Sequence, residues 1–217
     1  MNPLPQAAAG ISPRFLSLLA DEALAGKRVL DVGCGAGRLT LLVAREALRV
    51  VGLDRDPGRI REAEARARSA GVTNVEFHEA DVDREEYDRW APDLITAHLC
   101  ASDAIIERSA RALRPGSCLG MVAFHVDQWK ETGKVSRFAY DEPRMQAALC
   151  TAGLQPVAVE VEQEVKRFDS VEEGLAAAVG LEDRWRTDGR WVRYIGYLQS
   201  GGRTLTRSHL LVKARKP

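Results

Sequence analysis

Val29-Leu30-Asp31-Val32-Gly33-Cys34-Gly35-Ala36-Gly37-Arg38 carries an apolar run into three glycines at alternate positions, and a helical pattern follows from Arg38 to Leu48. This is how a buried parallel strand reads when it ends in a tight turn that opens a helix. Glycine at those positions lets the backbone take positive φ and lets a ligand approach without meeting a Cβ. The first amides of the helix point their free N–H groups at whatever sits over the turn. A nucleoside-bearing cofactor is the natural occupant.

The spacing narrows the choice. Dinucleotide binders use G-x-G-x-x-G, whose third glycine allows close helix–strand packing beneath a pyrophosphate. Here the spacing is G-x-G-x-G, and Arg38 stands where that third glycine would fall. Asp31, two positions before the first glycine, would repel a pyrophosphate and suit a cation. The pattern D-V-G-C-G-A-G resembles the first motif of class I S-adenosylmethionine-dependent methyltransferases, whose cofactor carries an ammonium and a sulfonium. The resemblance implies that Asp31, Gly33, Cys34, Gly35 and Gly37 surround S-adenosylmethionine. The alternative is a plain glycine turn between strand and helix.

Two further strand ends agree. Val50-Val51-Gly52-Leu53-Asp54 reads as a second buried strand ending in a carboxylate, 17 residues past Gly37. That is close to the offset of about 20 residues at which an acid meets ribose hydroxyls in this architecture. Two carboxylate oxygens accept from both hydroxyls of a vicinal diol. Val75-Glu76-Phe77-His78-Glu79-Ala80-Asp81-Val82 alternates into a third strand. In the family it resembles, the acid at Asp81 accepts from the adenine amine, and the amide of Val82 donates to a ring nitrogen. Taken singly, Asp54 and Asp81 also read as helix caps or loop carboxylates. Arg55 is placed to lay its aliphatic stem along the adenine face, or to stand exposed at a helix start.

Length and composition fit one sizeable α/β domain, 1–217, of 217 residues. The expected architecture is a doubly wound, mostly parallel seven-stranded sheet with its last strand antiparallel and helices on both faces. An N-terminal helical segment (1–26) and an insertion (168–207) flank it. Basic and acidic residues balance at 31 each, so nothing advertises a nucleic-acid partner. No apolar run reaches the roughly 18 residues a membrane span needs. The start, Met1-Asn2-Pro3-Leu4-Pro5-Gln6, has no basic n-region or apolar h-region, which leaves a cytoplasmic protein as the expectation. Cys34, Cys100, Cys118 and Cys150 are widely spaced with no C-x-x-C, so no zinc or iron–sulfur site, and no metal, is expected. A monomer or homodimer is the expected assembly.

Along the chain, Ser12 caps an entry helix that opens with Pro13 and runs to about Ala25. Asp56 and Pro57 open another helix, and Gly71 closes it. Asp93 to His98 reads as strand four and Ala101 to Leu113 as its helix. Arg114-Pro115-Gly116 turns into strand five, Cys118 to Phe124. Glu142 to Cys150 is helical, Val157 to Val165 is strand six, and His209 to Pro217 is the terminal strand. The leucine–arginine–proline–glycine turn before strand five also matches the family, and the resemblance covers about Arg28 to Pro217.

The chemistry it implies is in-line displacement at a sulfonium methyl, in which the protein supplies alignment and desolvation. A general base is needed only if the acceptor keeps a proton. His98, at the end of strand four, is the first candidate, against a structural or cofactor-contact role. His125, at the end of strand five, is the second. Ala97-His98-Leu99-Cys100 is not the N-P-P-[YF] tetrad of nucleobase amine methylation, and no Pro-Cys loop for attack on cytosine is present. A small-molecule acceptor is therefore expected. Tyr140, after strand five, and Trp191 and Tyr194, in the long connection from Phe168 to Arg207, are candidate acceptor contacts, or else a satellite core. A nicotinamide oxidoreductase and a non-catalytic S-adenosylmethionine-binding protein remain the alternatives.

Overall fold

The computed structural model describes residues 10–217; the Met1–Gln6 start and the alanines at 7–9 lie outside them. The chain forms two compact units. The first comprises Met1–Ala123, Glu142–Glu160 and Leu211–Pro217, the second Phe124–Asp141 and Val161–Leu210.

The strands are β1 (Arg28–Val32), β2 (Arg49–Asp54), β3 (Val75–Glu79), β4 (Leu94–His98), β5 (Cys118–His125), β6 (Ala139–Tyr140), β7 (Gln155–Arg167) and β8 (Thr204–Arg215). They form a mostly parallel mixed sheet in the order β3-β2-β1-β4-β5-β8-β7, with the two-residue β6 added beside β5. Strand β8 stands between β5 and β7, the place expected of the terminal strand. Strands β1, β2, β3, β4 and β5 pair in parallel; the apolar runs of β1, β2, β4 and β5 are buried on both faces as such strands require, and β3, at the edge, is only partly buried. Strand order reverses between β1 and β4, and the crevice beyond the carboxyl ends of the strands there is where such sheets hold ligands.

Helices follow the sequence signals with some shortening. Helix α1 (Pro13–Ala20) is capped by the Ser12 hydroxyl, which accepts from the Phe15 amide. It ends at Ala20 instead of about Ala25, because Asp21 and Glu22 turn away into an ion cluster with Lys213. Helix α2 (Arg38–Val43) ends before Leu48. The Asn74 side-chain amide donates to the carbonyls of Ala44 and Ala47, and the Leu48 amide is drawn to Lys27, so the helical ladder cannot continue. Helix α3 (Pro57–Ser69) is capped by Asp56, α4 (Asp103–Ala112) by Ser102, and α5 is Glu142–Thr151. The core of the first unit gathers Phe15, Leu19, Val29, Leu42, Val50, Leu94 and Leu211. A Cβ on Gly120 would come within 2.5 Å of Leu19, so only glycine lets α1 lie this close to β5.

The second unit contains helices α6 (Val171–Ala177), α7 (Glu182–Asp188) and α8 (Arg190–Gln199). Ser170 caps α6, as the Asp169-Ser170-Val171-Glu172-Glu173 pattern predicts. The unit has its own core of Trp129, Phe168, Trp185, Trp191, Tyr194, Leu198 and Leu205.

Candidate functional site

Three carboxyl ends of neighbouring strands and the turn after β1 build the crevice of the first unit. Gly33, Gly35 and Gly37 all take positive φ, at 69°, 54° and 77°. Their roles differ. A Cβ on Gly33 would come within 2.4 Å of the Cys100 sulfur, whereas one on Gly35 would meet nothing within 4 Å. Gly37, the residue before α2, lies so close to Ala63 and Phe77 that its Cβ would stand 3.1 and 3.2 Å from them. Gly35 thus leaves open space over the turn, and Gly37 lets α2 pack down onto its neighbours.

Asp54 fixes the turn. One of its oxygens accepts from the Gly35 amide at 2.8 Å and the other from the Asp56 amide at 3.0 Å. Each oxygen keeps a further lone pair for a ligand hydroxyl. Asp31 is held differently. It is 1% exposed and accepts from the hydroxyls of Thr40 at 2.6 Å and Thr96 at 2.9 Å. No cation pairs with it among the described residues. Burial pushes its carboxyl up to about 6, and the nearby Asp54 charge adds to this, against the lowering effect of the two hydroxyls.

A cavity of about 630 Å³ opens over these groups. Its lining contains Asp31, Gly33, Cys34, Gly35, Asp54, Arg55 and His98 of the residues the sequence singles out. The half-buried His98 ring lies 6.3 Å from that of Phe15. Gly37, Asp81 and Val82 are not part of that lining. Asp81 is exposed and holds a turn, accepting from the Asp83 amide at 3.2 Å and pairing with Arg84 at 3.5 Å. Val82 is buried, and its carbonyl accepts from the Tyr87 hydroxyl.

The four residues expected to face an acceptor belong to the second unit, and all are buried. His125 Nδ1 lies 2.9 Å from the Ser208 hydroxyl and accepts from the Asp127 amide at 3.3 Å. The amide can only donate, so the neutral ring carries its proton on Nε2. Tyr140 is 1% exposed. Tyr194 is fully enclosed, in edge contact with Trp185 and stacked on Tyr197, and Trp191 belongs to the same cluster. The structure gives Trp191 and Tyr194 a packing role in that core.

Sequence reasoning passed over several lining residues. Ile11, Leu39 and Leu99 supply apolar wall, and Arg38, Asp56, Arg59 and Arg66 supply charge. Thr96 was legible in principle: it sits two residues before His98 on β4, in register with Asp31.

The arrangement fits a ligand that carries a cation and a diol. A buried carboxylate with neutral partners gains most from a cation, and Asp54 adds acceptor capacity above open space. Such a cavity has the size of an ordinary small-molecule site.

Comparison with known proteins agrees. A family model described as "Methyltransferase domain" matches residues 24–175. Trans-aconitate 2-methyltransferase of Methylobacterium nodulans is 35% identical over 167 residues, which cover 74% of this chain and 60% of that protein. A 23S ribosomal RNA uracil-C5 methyltransferase of Edwardsiella ictaluri is 43% identical over 106 residues, covering 47% of this chain and 21% of the other. The chain therefore spans less than two thirds of the length of these curated relatives. Among solved structures, the YcgJ protein of Bacillus subtilis superposes with a TM-score of 0.69 at 18% identity, over 94% of this chain and 98% of that one.

Proposed function

Because this chain belongs to the class I S-adenosylmethionine-dependent methyltransferase family, we propose that it transfers a methyl group from S-adenosylmethionine to a small-molecule acceptor. The observation that carries this reading is the buried Asp31, which has no cation partner among the described residues, in a cavity it shares with Asp54 and the open Gly35 turn.

When bound, the cofactor supplies a methyl group already activated by positive charge. The residues of the chain hold and align it. Asp31 would take its ammonium and Asp54 its ribose hydroxyls, over the room that the Gly33–Gly35 turn leaves. Arg55 would flank the adenine, and Asp81 with the Val82 amide, beyond the cavity lining, would meet its edge. His98 is the one candidate general base on the cavity wall, used where the acceptor enters with its proton. The walls at Ile11, Leu39 and Leu99 help to exclude water from the transferring group.

The small acceptor draws support from the breadth of the matches. The trans-aconitate enzyme aligns over 74% of this chain, against 47% for the ribosomal RNA enzyme. A net charge of zero also offers a polyanion little. No described helix is long and apolar enough to cross a membrane. The four free thiols support a place in the cytoplasm.

Thermal unfolding with S-adenosylhomocysteine or NADH tests the reading. A ligand at about 100 times its dissociation constant adds roughly 2.7 kcal/mol of stability. We expect the shift with S-adenosylhomocysteine. A shift with NADH alone would replace the methyltransferase by an oxidoreductase. Mass spectrometry of metabolite extracts incubated with a deuterated-methyl cofactor would then identify the acceptor.

A further inference from the structure

The core of the second unit contains three buried N–H groups with nothing to bond. Trp129 Nε1, Trp185 Nε1 and Arg190 Nε have no hydrogen-bond partner among the described residues. The three residues are 6%, 0% and 6% exposed. They are also neighbours. The Trp129 and Trp185 rings meet edge-on with centroids 5.3 Å apart, and the Arg190 guanidinium carbon lies 5.9 Å from the Trp129 ring centre. Buried N–H groups in folded proteins are nearly always partnered, so three unmet donors in one corner point to an acceptor that the chain itself does not supply.

The acceptors nearby are already engaged. Asp188 takes one terminal nitrogen of Arg190 and its backbone amide, and the Lys134 carbonyl takes the other terminal nitrogen. Glu131 accepts from the hydroxyls of Thr204 and Thr206 and from the Thr206 amide. What remains unmet is three donors, the Nε of Arg190 and the two indole N–H groups. The exposed Arg184 guanidinium carbon also lies 5.9 Å from the Trp129 ring centre, which brings a second cation close to the same ring. Burial and the Arg184 charge both lower the pKa of Arg190.

We infer that this corner of the second unit is a binding site for a small carboxylate, held by the indole N–H groups of Trp129 and Trp185 and by the Arg190 guanidinium. A carboxylate only accepts, it has lone pairs for all three donors, and its charge is opposite to that of the two arginines beside the Trp129 ring. A single trapped water satisfies the corner less well. It accepts two hydrogen bonds, one fewer than the donors present, and brings two protons that need acceptors of their own. The carboxylate has two possible sources, the methyl acceptor itself or a separate regulatory acid. The site is argued without reference to methyl transfer, so its test needs no cofactor.

The full chain is titrated with citrate, with chloride at matched ionic strength as control, and followed by tryptophan fluorescence and calorimetry. Saturable binding of citrate and none of chloride is expected. Trp129→Phe and Trp185→Phe keep a ring but delete one donor each, and each should weaken citrate by about threefold to tenfold. Without citrate, neither variant should lose more melting temperature than its smaller ring explains, because no hydrogen bond is broken. Arg190→Lys should weaken binding by more than tenfold; if it fails to fold, the two Phe variants decide. No saturable response to citrate overturns the proposal, as does unchanged affinity in both Phe variants. With deuterated-methyl cofactor present, label on the bound acid marks it as acceptor, and saturable binding without label marks it as a separate ligand.

Discussion

Asp31 and Glu22 are carboxylates of the same unit, both nearly out of reach of water, and their surroundings have opposite effects on them. Burial alone raises the pKa of each. At Glu22 the hydrogen bonds from Lys213 and the Cys118 thiol, with the charges of Lys213 and Arg215, more than offset burial and hold the carboxyl at about 2. Lys213 and Arg215 approach one Glu22 oxygen to 2.8 and 2.7 Å, and Lys27 the other to 3.5 Å. At Asp31 the partners are the hydroxyls of Thr40 and Thr96 and the Thr40 backbone, none of them a cation; burial wins, and the carboxyl stands at about 6. The first arrangement is complete and ties the end of α1 to β8. The second has no cation of its own among the described residues, which is the place proposed for the ligand's ammonium. Burial of an acid therefore says little about its purpose until its partners are counted.

The largest effect should come from breaking the complete cluster. Glu22→Gln leaves Lys213, itself 5% exposed, with only Asp21 at 3.8 Å. Removing one partner of a buried ion pair costs about 3–5 kcal/mol. Urea unfolding at neutral pH should show a loss of that order, and replacing Glu22 and Lys213 together by Leu and Met should recover much of it. A single-variant loss below about 1 kcal/mol would place the cluster among surface pairs of little consequence.

Asp31→Asn sharpens the contrast through its pH dependence. A carboxyl whose folded pKa lies above its unfolded value binds more protons in the folded chain, so stability is highest below pH 4 and falls as pH rises to about 6. Glu22 has the reverse sign: its contribution is present above about pH 4.5 and is lost as pH falls towards 2. At about 1.4 kcal/mol per pKa unit, ionised Asp31 weakens the ligand-free fold by up to about 3 kcal/mol. The Asn variant should match the wild type at pH 4, exceed it in stability at pH 7.5, and lose affinity for S-adenosylhomocysteine. If the difference in stability between the two is the same at both pH values, Asp31 does not titrate in this window.

The same contrast marks what the sequence makes legible. The crevice of the first unit announces itself, because glycines at positive φ and acids at strand ends are residue types that a plain strand–helix turn does not need. Gly33, Gly35, Asp31 and Asp54 fall where their spacing puts them. Gly37 follows the spacing too, but its lost side chain makes room for Ala63 and Phe77 instead of a ligand. Spacing cannot tell these two reasons for a glycine apart. Glu22, by contrast, is silent in the sequence, since its partners lie about 190 residues away on β8. The aromatics of the second unit are legible as aromatics only. Trp191 and Tyr194 lie three apart on α8 and so share a face, and that face is turned into the Trp185 core. A helix with one apolar face reads the same whether that face meets a ligand or a core.

Asp54 is the third carboxylate of the comparison, bonded neither to cations nor to hydroxyls but to two backbone amides. Its partners belong to a turn that water can reach, so its loss should touch folding less than binding. Asp54→Ala removes the proposed ribose acceptor and frees the Gly35 turn at once. Hydrogen bonds to a charged group are worth about 1.5–3 kcal/mol, so affinity for S-adenosylhomocysteine should fall by roughly tenfold to a hundredfold in calorimetry. Asp54→Asn should lose less, because one oxygen still accepts, but its NH₂ must face one of the two amide donors and that bond is forfeited. The ordering wild type, Asn, Ala in affinity, with unfolding midpoints that differ much less, is the expected outcome. Equal affinity in all three, with stability falling in the same order, would make Asp54 an anchor for the glycine turn and move ribose recognition elsewhere in the cavity.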